Sequence, residues 1–172
     1  TYYEGYCTRL EIMERAVGSF IDALADASEG SNISVSAFCG SSDVIAQMQN
    51  ARENAQTLKG SVNRLSTDRS TNTYRGLQDG YKTFSSSSEN EKYIILLSDG
   101  VPTSDATGAV QYASTLGNQG ITIHTIGFAV TDEGASHLQS LANNGNGQYL
   151  SANGAASLVD SFELILGSVI SG

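Results

Sequence analysis

The chain has 172 residues, with nine Lys plus Arg against eighteen Asp plus Glu, a net charge of −9, and 40% hydrophobic but only 16% charged residues. With a mean hydropathy of −0.16 and a pI near 4.5, this composition fits one globular domain with a single core and excludes disorder and a coiled coil. The sign of the charge opposes a polyphosphate partner, and no apolar run approaches the roughly 20 residues that cross a bilayer, so nucleic acid and a membrane span in this segment are excluded.

The first helix is predicted from a capping box, Thr8 with Glu11, and from Leu10, Met13, Val17, Phe20 and Leu24, which recur at helical spacing to about Ala27. Gly30 ends it, and residues 33–38 alternate apolar with small polar residues as a strand does. Val44 and Ile45 form a short edge strand, followed by a helix over about 53–65, a polar loop over 66–71 and a helix through Leu77, Tyr81 and Phe84. The Ser-rich stretch 85–88 is a loop. Residues 93–97, Tyr-Ile-Ile-Leu-Leu, are a continuous apolar run closed by Ser98-Asp99-Gly100, the pattern of a central parallel strand covered on both faces. A helix (106–116), a strand (121–126), a helix (134–142), a short strand at Tyr149 and a last helix through Leu158, Phe162, Ile165 and Val169 complete the order. This alternation predicts an α/β fold, a doubly wound, mostly parallel sheet flanked by helices, spanning residues 1–172 as one domain.

In that fold, ligands bind beyond the carboxyl ends of the strands. Asp99 follows the buried strand directly, and Thr71 lies in the polar loop before the preceding helix. A helix of about twelve residues descends roughly 18 Å and a strand of about seven returns roughly 23 Å, which brings Thr71 and Asp99 to the same edge. A hydroxyl and a carboxylate are hard oxygen donors suited to magnesium, calcium or manganese rather than zinc. Cys7 precedes the first helix and Cys39 ends the following strand; a right-handed crossover puts both on the carboxyl edge, so a Cys7–Cys39 disulfide is expected.

The ordered set Thr71-Asn72-Thr73, Leu96-Leu97-Ser98-Asp99-Gly100 with Pro102-Thr103, Ile123-His124-Thr125-Ile126-Gly127 and Gly147-Gln148-Tyr149 resembles the von Willebrand factor A domain family along essentially the whole chain. The resemblance implies a metal-ion-dependent adhesion site at the sheet's carboxyl edge, in which Thr71 and Asp99 hold a divalent cation, most simply magnesium, with calcium or manganese as alternatives. Asn72, Tyr74, Gly100, Pro102 and Thr103 then form the rim, with Tyr2 and Tyr3 as further contacts; Glu4 or Asp105 would supply ligands only if this chain bound the cation as tightly as a longer one carrying the upstream strand. The implied function is non-catalytic adhesion or ligand binding, extracellular or at the cell surface, toward an acidic group of a protein or matrix partner.

The sequence departs from the family at the Asp-x-Ser-x-Ser motif, which does not occur before the first helix. Three ligand positions and the central first strand are therefore expected from an upstream segment or another chain, and two protein ligands alone hold a hard cation weakly. The competing readings are a degenerate, metal-free interaction module and an intracellular subunit coupled to an ATPase. Enzymatic chemistry has little support. There is no Gly-x-Ser-x-Gly elbow and no phosphate-binding Gly-x-x-x-x-Gly-Lys loop, and His124 and His137 lack a partner at metal spacing, so both are expected to be structural.

Overall fold

The computed structural model describes residues 7–66 and 70–171. Among these residues six helices and five strands follow in the order α1 (Arg9–Ala27), β1 (Asn32–Phe38), β2 (Ser42–Asn50), α2 (Ala51–Val62), α3 (Thr73–Lys82), β3 (Lys92–Ser98), α4 (Ala106–Asn118), β4 (Ile121–Phe128), α5 (Asp132–Asn144), β5 (Tyr149–Ala152) and α6 (Ala155–Ser171).

Local chemistry sets the helix ends. The Thr8 hydroxyl accepts the Glu11 N–H at 3.2 Å while the Glu11 carboxylate accepts the Thr8 N–H at 2.6 Å, closing the capping box. Since α1 has no basic residue in its last turn, its exposed carbonyls are met from outside: the Arg52 guanidinium donates to the carbonyls of Ala25 and Asp26. The same side chain pairs with Glu29 at 2.6 Å, so one arginine ties the end of α1 to the start of α2.

The strands form two groups. In the first, β3, β4 and β5 are parallel in that order, in register from Lys92 opposite Ile121 to Ser98 opposite Gly127. Paired on both sides, β4 is buried at every residue except Thr122, with Ile123 and Ile126 inaccessible. The second group is an antiparallel hairpin of β1 and β2, irregular between Ile33 and Ser36. The parallel, helix-flanked architecture matches the sequence expectation, with two differences. Val44 and Ile45 belong to a nine-residue strand rather than a short one, and the apolar run 93–97 borders its sheet rather than occupying the middle. Ile94, Leu96 and Ser98 are buried against α3 and α4, while Ile95 and Leu97 on the opposite face are only half-buried. The run is apolar on both faces, as expected, yet its second face looks onto a cleft.

Three apolar clusters hold the layers. One joins α1 and α6 to the ends of β4 and β5 through Phe20, Leu24, Ile126, Leu158 and Phe162, with the Phe20 and Phe162 rings 5.2 Å apart. A second packs α3, α4 and α5 on the other face of β3 and β4. The third, made of Ile21, Ala46, Leu58 and Val62, fastens α1 and α2 to the hairpin. The α3 helix links the two strand groups: Gly76 lies under the Phe38 ring of β1 and Gly80 under Ile94 of β3.

Gly147 fits where no side chain can, since a Cβ there would stand 2.0 Å from the Ile123 carbonyl. Gly60, inside α2, has nothing within 4 Å of that position. Gly147→Ala is expected to lower stability by about 2–4 kcal/mol, and Gly60→Ala to raise it by about 0.5–1 kcal/mol, in chemical denaturation.

Candidate functional site

Residues 70–72 join two distant strand ends. The Asn72 N–H donates to the Cys39 carbonyl at the end of β1, 2.8 Å away. The loop after β3 is clamped to Thr71 three times: the Thr71 N–H donates to Thr103 Oγ1 (3.0 Å), the Thr103 N–H to the Thr71 carbonyl (2.9 Å), and the Thr103 hydroxyl to that same carbonyl (3.3 Å). Gly100 completes the contact, because a Cβ there would lie 2.8 Å from Thr71 Oγ1. The Thr71 hydroxyl therefore rests on the backbone immediately after Asp99, and the two predicted donors share the carboxyl edge.

The cap of α3 is Asn72, whose Oδ1 accepts the Arg75 N–H at 3.0 Å. That leaves the Thr71 hydroxyl outside the capping geometry. Among the described residues neither this hydroxyl nor the exposed Asp99 carboxylate has a hydrogen-bond partner. Hard oxygens without internal partners fit a magnesium-like ion. The set is incomplete: among the described residues no three of His, Cys, Asp and Glu gather as a metal-binding group.

The other named residues divide. Thr103 is exposed and positions Thr71, and Pro102 is half-buried beside it. Asn72 is buried and committed to its cap, while the Tyr74 ring turns edge-on to Tyr112, 5.4 Å away, within an aromatic cluster that Tyr81 extends. Asp105 adopts a left-handed conformation at the start of α4 and makes no side-chain cap. Tyr2, Tyr3 and Glu4 lie outside the described residues. The expected Cys7–Cys39 disulfide is not formed. Both cysteines are half-buried free thiols, and the Cys39 sulfur lies 3.7 Å from the Ser41 hydroxyl in its own turn.

Both histidines make contacts within the fold, and one of them braces the candidate site. His137 Nε2 is 2.9 Å from the Thr73 hydroxyl, and a Cβ on Gly134, one turn earlier in α5, would approach the Gly100 carbonyl at 3.3 Å. Thus α5 buttresses both the α3 start and the loop after β3. His124 is buried in β4, where Nδ1 accepts the Gln148 N–H at 3.1 Å, the ring stacks on Tyr93, and Nε2 has no partner among the described residues. Neither support was visible in the sequence, because each joins residues at least 24 positions apart with no spacing signature.

A family model for the von Willebrand factor type A domain matches residues 8–165. The chain belongs to that family. Domains of this family are generally non-catalytic interaction modules. A search of curated protein sequences finds no significant match. Among solved structures, the von Willebrand factor A fold is shared with BatB from Bacteroides thetaiotaomicron, a conserved hypothetical protein: 16% identity, 99% of this chain and 92% of that one covered, TM-score 0.80. It is shared likewise with a von Willebrand factor type A protein from Catenulispora acidiphila (20% identity, 94% and 39% covered, TM-score 0.79). A third is the domain of the type V pili tip protein Mfa5 from Porphyromonas gingivalis (14% identity, 94% and 88% covered, TM-score 0.78).

Burial holds both His124 and His137 below the usual histidine range. The unfolded chain, with histidines near 6.5, then binds more protons than the native state from about one pH unit above that value downward, so stability falls as the pH falls through this range. Thermal unfolding between pH 7.5 and 5.5 measures this slope. His124→Gln combined with His137→Gln is expected to flatten it.

Proposed function

We propose that this domain is a non-catalytic recognition module, in which Thr71 and Asp99 hold a divalent cation that an acidic group of a protein or matrix partner completes. The observation that carries the reading is the placement of the Thr71 hydroxyl against Gly100, with Asp99 next in sequence and, among the described residues, neither side chain hydrogen-bonded. A carboxylate and a hydroxyl that spend no hydrogen bonds on their own fold lose little when a cation recruits them, and a hard ion with vacant positions binds a partner carboxylate directly. Magnesium suits the small, hard donor set best; calcium and manganese share the chemistry.

Of the rim residues that the resemblance implies, Gly100, Pro102, Thr103 and the half-buried Tyr74 keep access to solvent, and Asn72 is buried with its oxygen in the α3 cap. An extracellular or cell-surface setting accords with the scarcity of Lys and the abundance of small polar residues, and the free thiols carry no argument for it. Recognition rather than turnover is supported by the family, whose domains are generally non-catalytic interaction modules.

With two protein ligands, residues 1–172 are expected to bind magnesium weakly, with a Kd of about a millimolar or above, read by calorimetry or by NMR shifts at Gly100 and Thr71. Asp99→Ala should abolish the shifts and Thr71→Val weaken them. Gly100→Ala should weaken them as well by pushing the Thr71 hydroxyl aside, with the thermal midpoint of all three variants within a few degrees of the parent. Unchanged binding in Asp99→Ala would sink the reading.

A further inference from the structure

The sequence holds three Asn-Gly pairs: Asn144 with Gly145, Asn146 with Gly147, and Asn153 with Gly154. An asparagine before a glycine carries its own reaction partner. The glycine amide nitrogen reaches back to the side-chain carbonyl carbon to close a five-membered ring, and no Cβ on the glycine obstructs the turn. In an unfolded chain the three pairs share this chemistry. The fold makes them unequal.

Two of the pairs are locked. Asn144 Nδ2 donates to the Ser140 carbonyl at 2.8 Å, and the Gly145 N–H is shared between the carbonyls of Leu141 and Ala142 at 2.9 and 3.1 Å. Asn146 Nδ2 donates to the Gly117 carbonyl at 3.1 Å, and the Gly147 N–H to the Ala142 carbonyl at 2.9 Å. Both glycines are also wedged in place, since a Cβ would stand 2.5 Å from the Ile123 side chain at Gly145 and 2.0 Å from the Ile123 carbonyl at Gly147. Ring closure needs the asparagine side chain folded back on its own backbone and the glycine free to rotate. Neither pair has that freedom.

The third pair differs on each count. Asn153 is exposed, and its side chain has no hydrogen-bond partner among the described residues. Nothing stands within 4 Å of a Cβ built on Gly154. The Gly154 N–H is held by the Ser157 hydroxyl, 3.1 Å away, and that side chain rotates without breaking a backbone ladder. The pair joins β5 to α6. Because Ala152 lies opposite Phe128, and Gly127 opposite Ser98, it stands on the same sheet edge as Asp99.

We propose that Asn153 and Gly154 form a self-modification site of the folded domain, at which the Asn153 amide converts to a carboxylate through a succinimide. The Gly154 nitrogen bonds to Asn153 Cγ, the Cγ–Nδ2 bond breaks, and the Gly154 amide proton leaves with the NH2 group as ammonia. Water then opens the ring. Attack at Cγ restores the main chain with an aspartate, and attack at the backbone carbonyl leaves the chain running through Cγ as an isoaspartate. The reaction consumes only water, and each product adds one negative charge. The aspartate sets that charge beside the first N–H groups of α6, a helix with no acidic residue in its first turn. The isoaspartate lengthens the main chain between β5 and α6 by one methylene. The inference stands independently of the cation site.

The test incubates the 172-residue chain in mildly alkaline buffer, native and in urea, and reads each Asn-Gly pair by peptide mass spectrometry. In the native chain Asn153 is expected to convert about tenfold or more faster than Asn144 and Asn146, because those two must first break hydrogen bonds of both side chain and backbone. In urea the three rates should converge. Converted Asn153 should be a mixture of aspartate and isoaspartate, and the rate should rise with pH as the attacking nitrogen loses its proton. Gly154→Ala, which the fold has room for, should slow conversion at Asn153 alone. Equal native rates at the three pairs, conversion of Asn153 only in urea, or aspartate without isoaspartate would overturn the proposal.

Discussion

The backbone of an interior strand must be paired on both sides, and in this fold that condition is met at β4 and open at β1 and β3. Much else follows from the asymmetry. With neighbours on each side and helices on each face, β4 is buried almost throughout. With one neighbour, β3 alternates between buried and half-buried although its sequence is apolar at nearly every position. The hairpin cannot reach β3 through hydrogen bonds, so its attachment falls to side chains: Phe38 on Gly76, Ser34 to Thr83, and the clusters under α1 and α2. Asp79 of α3 adds to this, its carboxyl held below the usual range by hydrogen bonds first from Lys82 and then from Ser42 at the start of β2.

The same arrangement makes the loop 70–72 more than a connection. It is the point where the two strand groups meet at their carboxyl ends, bonded to Cys39 on one side and to Thr103 on the other. A loop fixed from both directions holds Thr71 in one place without using its hydroxyl, and the Asn72 cap relieves that hydroxyl of the task a threonine before a helix ordinarily performs. Structural demands are met by neighbouring atoms, and the oxygens left over are those with ligand chemistry.

The legible parts of the sequence were those written in short periods. The capping box at Thr8 and Glu11, the apolar stripe of α1 and the run at 93–97 each occupy fewer than twenty residues, and the helix and strand each implied is present. The convergence of Thr71 and Asp99 was also legible, because the rise of one helix and one strand nearly cancel over the distance between them. The length of β2 was less so. Ser42, Asp43, Gln47, Gln49 and Asn50 read as loop residues, and a hairpin edge exposed to water on one face tolerates them. The disulfide inference went astray at a finer level. Sharing one edge of a sheet is a statement about layers, whereas a bridge requires Cβ atoms within about 4 Å and correctly aimed, and the turn at 39–41 directs the Cys39 sulfur toward Ser41 instead.

The tertiary supports, His137 on Thr73 and Gly134 beside Gly100, show why the surroundings of a candidate site are harder to read than its candidate donors. A candidate donor is recognised by what its own side chain offers, and Thr71 and Asp99 present hard oxygens in the sequence. A rim residue matters through exposure, which depends on what packs against it from elsewhere. Tyr74 is a plausible contact until Tyr112 of α4 covers its edge, and Asn72 until its oxygen is taken by the Arg75 amide. Thr103 shows the converse: it is exposed and looks like a surface contact, yet its hydroxyl faces Thr71 and shapes the position of that candidate donor. Exposure is set by the whole packing around a position and donor chemistry by one residue, so the chemistry of this edge was readable before its shape.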